Sequence, residues 1–134
     1  MYRYHPAIRF CLEAVGRGWL GPVFRNHGEI GKVVGKGRRP GLADVYGGSM
    51  MLLGCHLLDF VVALLGVPDR VTPYGRRTFP EQDDFFDHEL AVLEYPNAMA
   101  TVRSMLAEVG GGDRRQFVVC GENGTIEIRP LEPA

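Results

Sequence analysis

GGSMMLLGCHLLDF, residues 47 to 60, is an apolar segment that opens on two glycines and carries one histidine and one aspartate. The apolar run inside it extends from Met50 to Leu65, which is shorter than the roughly 20 residues that a bilayer span requires. Its apolar residues occur all round the helical period, so we predict a helix over residues 48–65 that is buried on most of its circumference. This segment therefore predicts a core helix, and we expect no membrane association.

Two polar side chains on this helix admit two interpretations. His56 and Asp59 lie three positions apart and share one side of a helix, with Leu52 and Ser49 one and two turns earlier. In the first interpretation the histidine hydrogen-bonds a loop carbonyl, and the aspartate caps a helix or pairs with an arginine. In the second, His56 is a general base, because a neutral imidazole held by a carboxylate is suited to taking a proton from an alcohol as hydride leaves its carbon. Spacing alone leaves both interpretations open.

The segments around this helix predict an α+β domain. Pro6 and the apolar residues after it predict a first helix, and residues 23–34 predict a strand. Five short runs rich in β-branched and aromatic residues follow, with turns such as PNA and GENG between them: RVTPYGRRTF, HELAVLEY, AMATVRSMLAEV, RRQFVVCG and GTIEIRP. We predict an open, mostly antiparallel β-sheet of about five or six strands, with about two helices packed on one face.

Two helices are too few to cover both faces of such a sheet. A sheet face that carries apolar side chains needs a cover, and the most economical one is the same face of a second copy. We therefore predict a homo-oligomer formed through the β-sheet.

Composition excludes several classes of function. The chain has 134 residues, enough for one domain over residues 1–134, and 15 Lys and Arg against 16 Asp and Glu give a net charge of -1. We expect no nucleic-acid partner, because there is no basic field to neutralise a phosphate backbone. Cys11, Cys55 and Cys120 lie in apolar runs, which is typical of buried reduced thiols in a cytoplasmic protein. The histidines and cysteines fit no metal-ligand spacing, so we expect no metal site.

The remaining charged and glycine-rich stretches predict exposed loops. Residues 35–48, GKGRRPGLADVYGG, predict a long loop, and the arginine doublet at 38–39 and the acidic run EQDDFFDHE at 81–89 are most simply solvated. The glycines of GKGRRPG and VGGGD do not lie between a strand and a helix, so we interpret them as turns. No nucleotide-binding fingerprint is present in the sequence.

Three segments in chain order resemble one protein family. YHPAIRFCLEAVGRGWLGPV resembles its helix-to-strand entry, GGSMMLLGCHLLDFVVALLGVPDRV its GGG.L.D.G.H..D segment, and VVCGENGTIEI its closing hairpin. The family is the glucose–fructose oxidoreductase, inositol dehydrogenase and MocA group, written Gfo/Idh/MocA. The resemblance spans nearly all of the chain and corresponds to the C-terminal domain of that family.

The resemblance implies a role for each matching residue. His56 matches the catalytic histidine, which assists proton transfer at the substrate hydroxyl or carbonyl, and Asp59 matches an aspartate near the substrate. Gly47 and Gly48 match glycines that bring the helix start close to the nicotinamide and the substrate, and Ser49 stands where the third glycine would be. We therefore expect Gly47, Gly48 and Ser49 to bind the substrate together with Asp59.

The resemblance also implies what lies outside this chain. The family joins this domain to an N-terminal Rossmann domain that binds NAD or NADP, and over roughly 120 residues that domain would precede Met1. We expect the 134 residues to lack this Rossmann domain, which would be supplied by another part of the same protein or by a separate chain. We therefore expect this chain alone to bind neither cofactor tightly and to lack activity by itself.

One departure from the family pattern opens an alternative function. Leu52 stands where the family has an aspartate, four residues before His56. A carboxylate there would orient the imidazole and raise its pKa, whereas a leucine does neither. One hypothesis is the substrate-binding and oligomerisation domain of an NAD(P)-dependent oxidoreductase acting on a sugar, polyol or related hydroxy compound. The other is a non-catalytic binding or assembly module with a degenerate site.

Overall fold

A computed structural model describes residues 2–132 as a six-stranded mixed sheet with helices packed against one face. The strands are β1 (Val23–Gly31), β2 (Arg70–Arg76), β3 (His88–Glu94), β4 (Met99–Met105), β5 (Gln116–Gly121) and β6 (Gly124–Ile128). The helices are α1 (Pro6–Gly16), α2 (Cys55–Leu65) and the short α3 (Gly111–Arg114). Single 3-10 turns cover Tyr2–Tyr4, Lys36–Arg38 and Pro40–Leu42. The predicted α+β class is confirmed.

The order of strands across the sheet is β2-β3-β4-β1-β5-β6. Hairpins join β2 to β3, β3 to β4 and β5 to β6, and β1 pairs antiparallel with β5. The exception is the central pair, in which β1 runs parallel to β4. A parallel pair needs a long connection, and here α2 and two strands separate the two partners along the chain. The sheet is thus mostly antiparallel, as predicted.

The core lies between α2 and the middle strands. Leu57 and Phe60 of α2 are buried, and the ring of Phe60 stacks on that of Phe117 in β5 with 3.9 Å between ring centroids. A Cβ atom on Gly28 of β1 would lie 3.0 Å from Leu57 Cδ1 and 3.2 Å from a ring carbon of Phe117. Glycine at this position therefore lets α2 approach the centre of the sheet.

The opposite face of the sheet carries the side chains that alternate with these core positions. They are half-buried or exposed, among them His27 on β1, Leu90 and Val92 on β3, Thr101 on β4 and Val118 on β5. Neither α1 nor α2 packs on this face, because both lie on the other one, and the four-residue α3 contacts the end of β1 near Gly31. The geometry that led us to predict a second copy as its cover is therefore present.

The predicted core helix differs from the observed one in two respects. A π-helical turn, Met50–Gly54, precedes α2, so residues 48–65 do not form one regular helix. The buried face is also narrower than predicted, since Met51 and Val62 are exposed. Within residues 2–132 no helix combines the length and the apolar character needed to span a membrane.

Candidate functional site

The site begins at a tight turn made of Gly47 and Gly48. Both have positive φ, +86° and +58°, a backbone conformation that side chains other than hydrogen rarely allow. A Cβ atom on Gly48 would lie 2.5 Å from the carbonyl oxygen of Phe86. The next residue, Ser49, donates its backbone N–H to that same oxygen at 2.8 Å. The glycines thus let the backbone that leads into the π-helical turn contact the segment that precedes β3.

Glu89 of β3 fixes the first residues of this helical segment. Its carboxylate accepts a hydrogen bond from Ser49 Oγ at 3.0 Å and one from the backbone N–H of Met50 at 2.6 Å. Ser104 Oγ on β4 donates to the carbonyl of Ser49 at 3.0 Å. The site residue Ser49 is 0% exposed and its hydroxyl is already engaged, so its contact with a substrate stays a prediction.

Sequence reasoning missed Glu89, although a signal for it exists. Glu89 shares one face of β3 with the buried residues Ala91 and Leu93, because side chains in a strand alternate with a period of two. A carboxylate on an otherwise apolar strand face indicates a polar partner across that face.

A cleft of about 430 Å³ lies beside the π-helical turn. Leu52, at the position where the resemblance implies an aspartate, lines it together with Leu53, Leu42 and Leu106. The two charged residues in its lining are Lys32 and Arg38. The side chain at position 52 is therefore part of an apolar wall.

His56 lies in the first turn of α2 and is half-buried. The ring of Tyr2 meets its imidazole edge-on, with 5.6 Å between ring centroids. Within residues 2–132, neither ring nitrogen of His56 has a hydrogen-bond partner, so the loop carbonyl of the first interpretation is not observed. Burial and a hydrogen bond to Glu132 raise the pKa of Tyr2 to about 12, so this neighbour of the imidazole is a neutral phenol at physiological pH.

Asp59 is occupied by an arginine instead of by the histidine. Arg3 donates two hydrogen bonds to the carboxylate of Asp59, from Nε at 2.6 Å and from a terminal nitrogen at 2.5 Å. These bonds hold the pKa of Asp59 below its ordinary value and that of Arg3 above its own. The first interpretation allows Asp59 to pair with an arginine, and the structure identifies that arginine as Arg3 in the 3-10 turn Tyr2–Tyr4.

The prediction that Ser49 shares one side of the helix with His56 and Asp59 is wrong. Ser49 points to the sheet, whereas Asp59 is about half exposed at the surface. Helical spacing would align the two side chains, but the π-helical turn between them interrupts the regular α-helical geometry. His56 and Asp59 both remain in the first two turns of α2.

A buried ion cluster joins the loop of residues 35–48 to the acidic run of residues 81–89. The prediction that the arginine doublet and the acidic run are both simply solvated is therefore corrected. Arg39 is 2% exposed and binds the carboxylate of Asp83 through two hydrogen bonds of 2.7 and 3.1 Å. A terminal nitrogen of Arg39 lies 3.1 Å from the fully buried Asp87, and its guanidinium stacks 4.9 Å from the ring centre of Phe79. The hydrogen bonds from Arg39 hold the pKa of Asp83 below its ordinary value. The other member of the doublet, Arg38, is exposed as predicted.

The described residues do not fit a dinucleotide or a metal ion. A dinucleotide site needs a glycine-rich turn between a strand and a helix long enough to present its N-terminus to the phosphates. Here Gly35 and Gly37 lie at 3-10 turns, and the Gly110–Gly112 stretch opens the four-residue α3. Residues 2–132 also contain no group of three His, Cys, Asp or Glu side chains arranged to hold a metal.

Comparison with known proteins gives one family match. The family model described as the GFO/IDH/MocA C-terminal domain matches residues 8–127. No curated protein matches the chain.

Several solved structures share the fold at low sequence identity. The WlbA dehydrogenase from Bordetella pertussis, in complex with NADH and UDP-GlcNAcA, is 17% identical with a TM-score of 0.82, over 96% of this chain and 39% of that one. The scyllo-inositol dehydrogenase from Lactobacillus casei, with bound NAD(H) and scyllo-inositol, is 19% identical with a TM-score of 0.79, over 94% and 39%. The aldose-aldose oxidoreductase from Caulobacter crescentus is 24% identical with a TM-score of 0.81, over 98% and 40%. The chain thus spans about two fifths of the length of these structures.

Proposed function

Because this chain belongs to the family of GFO/IDH/MocA C-terminal domains, we propose that it is the substrate-binding and oligomerisation domain of an NAD(P)-dependent oxidoreductase. The substrate is a sugar, a polyol or a related hydroxy compound. The observation that carries this proposal is the family match over residues 8–127, in which His56 follows the Gly47–Gly48 turn at the start of the core helix.

His56 is the acid/base of the proposed reaction. Oxidation of an alcohol to a carbonyl releases a hydride from carbon and a proton from oxygen, and a neutral imidazole takes that proton. Two observations support this role: His56 has no hydrogen-bond partner within residues 2–132, and its neighbour Tyr2 stays protonated. In the reverse direction the imidazolium returns the proton to the carbonyl oxygen.

Asp59 and the glycine turn position the proposed substrate. Asp59 stays ionised next to Arg3, and their half-exposed charges offer an acceptor and a donor to hydroxyl groups. The turn of Gly47 and Gly48 brings backbone, without side chains, to the start of the π-helical segment, and Glu89 holds that segment in place.

NAD or NADP, the hydride carrier, binds to a Rossmann domain that is joined to this chain in cis or in trans. Two observations support a cofactor site on a separate domain. Residues 2–132 contain no glycine-rich turn between a strand and a long helix, and this chain covers only 39% of each of two solved structures that share the fold. We expect the isolated chain to bind neither cofactor tightly.

The open face of the sheet forms the proposed homo-oligomer. Leu90, Val92 and Val118 give its centre an apolar character, and His27 and Thr101, joined by a hydrogen bond of 2.8 Å, lie between them. Two copies related by a two-fold axis pack this face against the same face of the other copy, because a two-fold interface uses the same patch on both subunits.

A second candidate function rests on Leu52. With a leucine one turn before His56 and with Asp59 bound to Arg3, no carboxylate within residues 2–132 orients the imidazole. In this alternative the domain is a non-catalytic binding or assembly module with a degenerate site.

Turnover in the protein that carries this chain with its Rossmann domain distinguishes the two functions. Reduction of NAD or NADP by that protein is followed over a panel of polyols, sugars and hydroxy acids. His56→Ala lowers turnover at least about a hundredfold if the imidazole is the acid/base. Full activity in His56→Ala refutes the proposed role of His56, and no turnover with any compound favours the binding module.

A further inference from the structure

The cleft beside the π-helical turn combines apolar walls with two cations. Its walls come from three segments: the extension of β1 to Val34, the loop before Leu42, and the π-helical turn with Leu52 and Leu53, while Leu106 closes it from the sheet. At about 430 Å³ it lies within the range of small-molecule sites. We propose that this cleft binds a small carboxylate with an apolar body.

Two side chains select the negative charge. Lys32 and Arg38 are exposed, line the cleft, and form no ion pair with any other part of residues 2–132. No acidic side chain contributes to the lining within that range. Arg38 presents a planar set of donors that suits a carboxylate, and Lys32 adds a second positive charge.

The buried ion cluster fixes the loop that carries Arg38. Its neighbour Arg39 is locked between Asp83 and Asp87, so the backbone of the arginine doublet is anchored at one residue while the other lines the cleft. A preformed loop needs less ordering when a ligand binds, which strengthens binding.

Leu52 determines the ligand class. An aspartate at this position would place a like charge in the lining and repel a carboxylate, whereas leucine adds apolar surface to the wall. A neutral polyol fits less well, because its hydroxyl groups would lose water against leucine side chains without gaining partners. This inference goes beyond the proposed function, since the cleft and its cations do not depend on proton transfer by His56.

A titration of the ¹⁵N-labelled chain with octanoate, followed by NMR, tests the inference. We expect saturable shifts at residues 32–38, 52–53 and 106 with a dissociation constant on the order of 1 mM. Octanamide, which has the same apolar body without the charge, binds at least about tenfold more weakly, and so does octanoate to the double variant Lys32→Ala, Arg38→Ala. Lys36→Ala is the matched control, because Lys36 is exposed on the same loop but lines a different cleft.

A pair of variants at position 52 tests the charge argument. Leu52→Asp weakens octanoate binding at least about tenfold, whereas the neutral and similarly sized Leu52→Asn weakens it less. Equal binding of octanamide, unchanged binding in the double variant, equal effects of Asp and Asn, or shifts confined to other surfaces would each overturn the proposal. The titration uses no cofactor and no turnover, so its failure leaves the proposed function untouched.

Discussion

Replacement of Arg39 by methionine removes the cation from the buried cluster and leaves its two carboxylates in place. Methionine keeps an unbranched apolar stem against Phe79. Asp87 is 0% exposed and retains one hydrogen bond, from the backbone N–H of Thr78, while Asp83 retains one from Phe85. Removing one partner of a buried ion pair typically destabilises a protein by about 3–5 kcal/mol, because the remaining charge is buried without compensation.

The matched control is the neighbouring residue of the same doublet. Arg38 is exposed, so Arg38→Met changes the free energy of unfolding by no more than about 0.5 kcal/mol. Urea unfolding is followed through the fluorescence of the single tryptophan, Trp19, and by circular dichroism. We expect Arg39→Met to lower the unfolding midpoint by about 2 M, given typical urea slopes. Equal midpoints for the two variants would refute the claim that the cluster holds the two loops.

The pH dependence of this difference follows from Asp83. Its folded pKa is held below the ordinary value, so its stabilising contribution is present above the unfolded pKa of about 3.9 and is lost as the pH falls through the folded value. Arg39→Met abolishes the interaction that lowers this pKa. The gap in stability between wild type and variant is therefore widest near neutral pH and narrows below about pH 4, and a gap that widens in acid would contradict the assignment.

Two further changes test the turn and the open sheet face. Gly48→Ala forces a Cβ against the carbonyl of Phe86 at positive φ and should lower the stability by about 1–3 kcal/mol in thermal unfolding, whereas Gly37→Ala, which meets no atom within 4 Å, serves as the control. Val118→Arg at the middle of the open face should shift the mass measured by light scattering toward the monomer, and Phe10→Arg on α1 should not. Unchanged stability of Gly48→Ala would contradict the close packing of the glycine turn, and an unchanged mass of Val118→Arg would contradict an oligomer formed through the open sheet face.

The strands were predictable because their pattern is local. In β6 the alternation of Ile126 and Ile128 with polar residues is written in consecutive positions, and the observed burial follows it. The parallel pairing of β1 with β4 has no such local signature, since it depends on which strand occupies the centre of the sheet. Strand order is a property of the whole fold, and a pattern within single strands does not encode it.

The placement of the candidate-site residues on the fold was predictable in part for the same reason. The sequence pattern placed His56 and Asp59 on the core helix and the glycine turn before it, and their functional roles stay predictions. The same pattern misjudged Arg39, because the loop that carries its acidic partners has the polar composition of a solvated loop. The π-helical turn was equally hidden, because an unbroken apolar run is compatible with either hydrogen-bond pattern.

In the proposed function, this chain binds the substrate and a separate Rossmann domain binds the cofactor. Calorimetric titration of the isolated chain with NADH tests this division most directly. The chain carries His56 and the glycine turn, but no strand–turn–helix cradle for phosphates within residues 2–132. We predict no binding tighter than about 1 mM, and binding appears only in the protein that includes a Rossmann domain. A micromolar dissociation constant for the chain alone would contradict the proposed function.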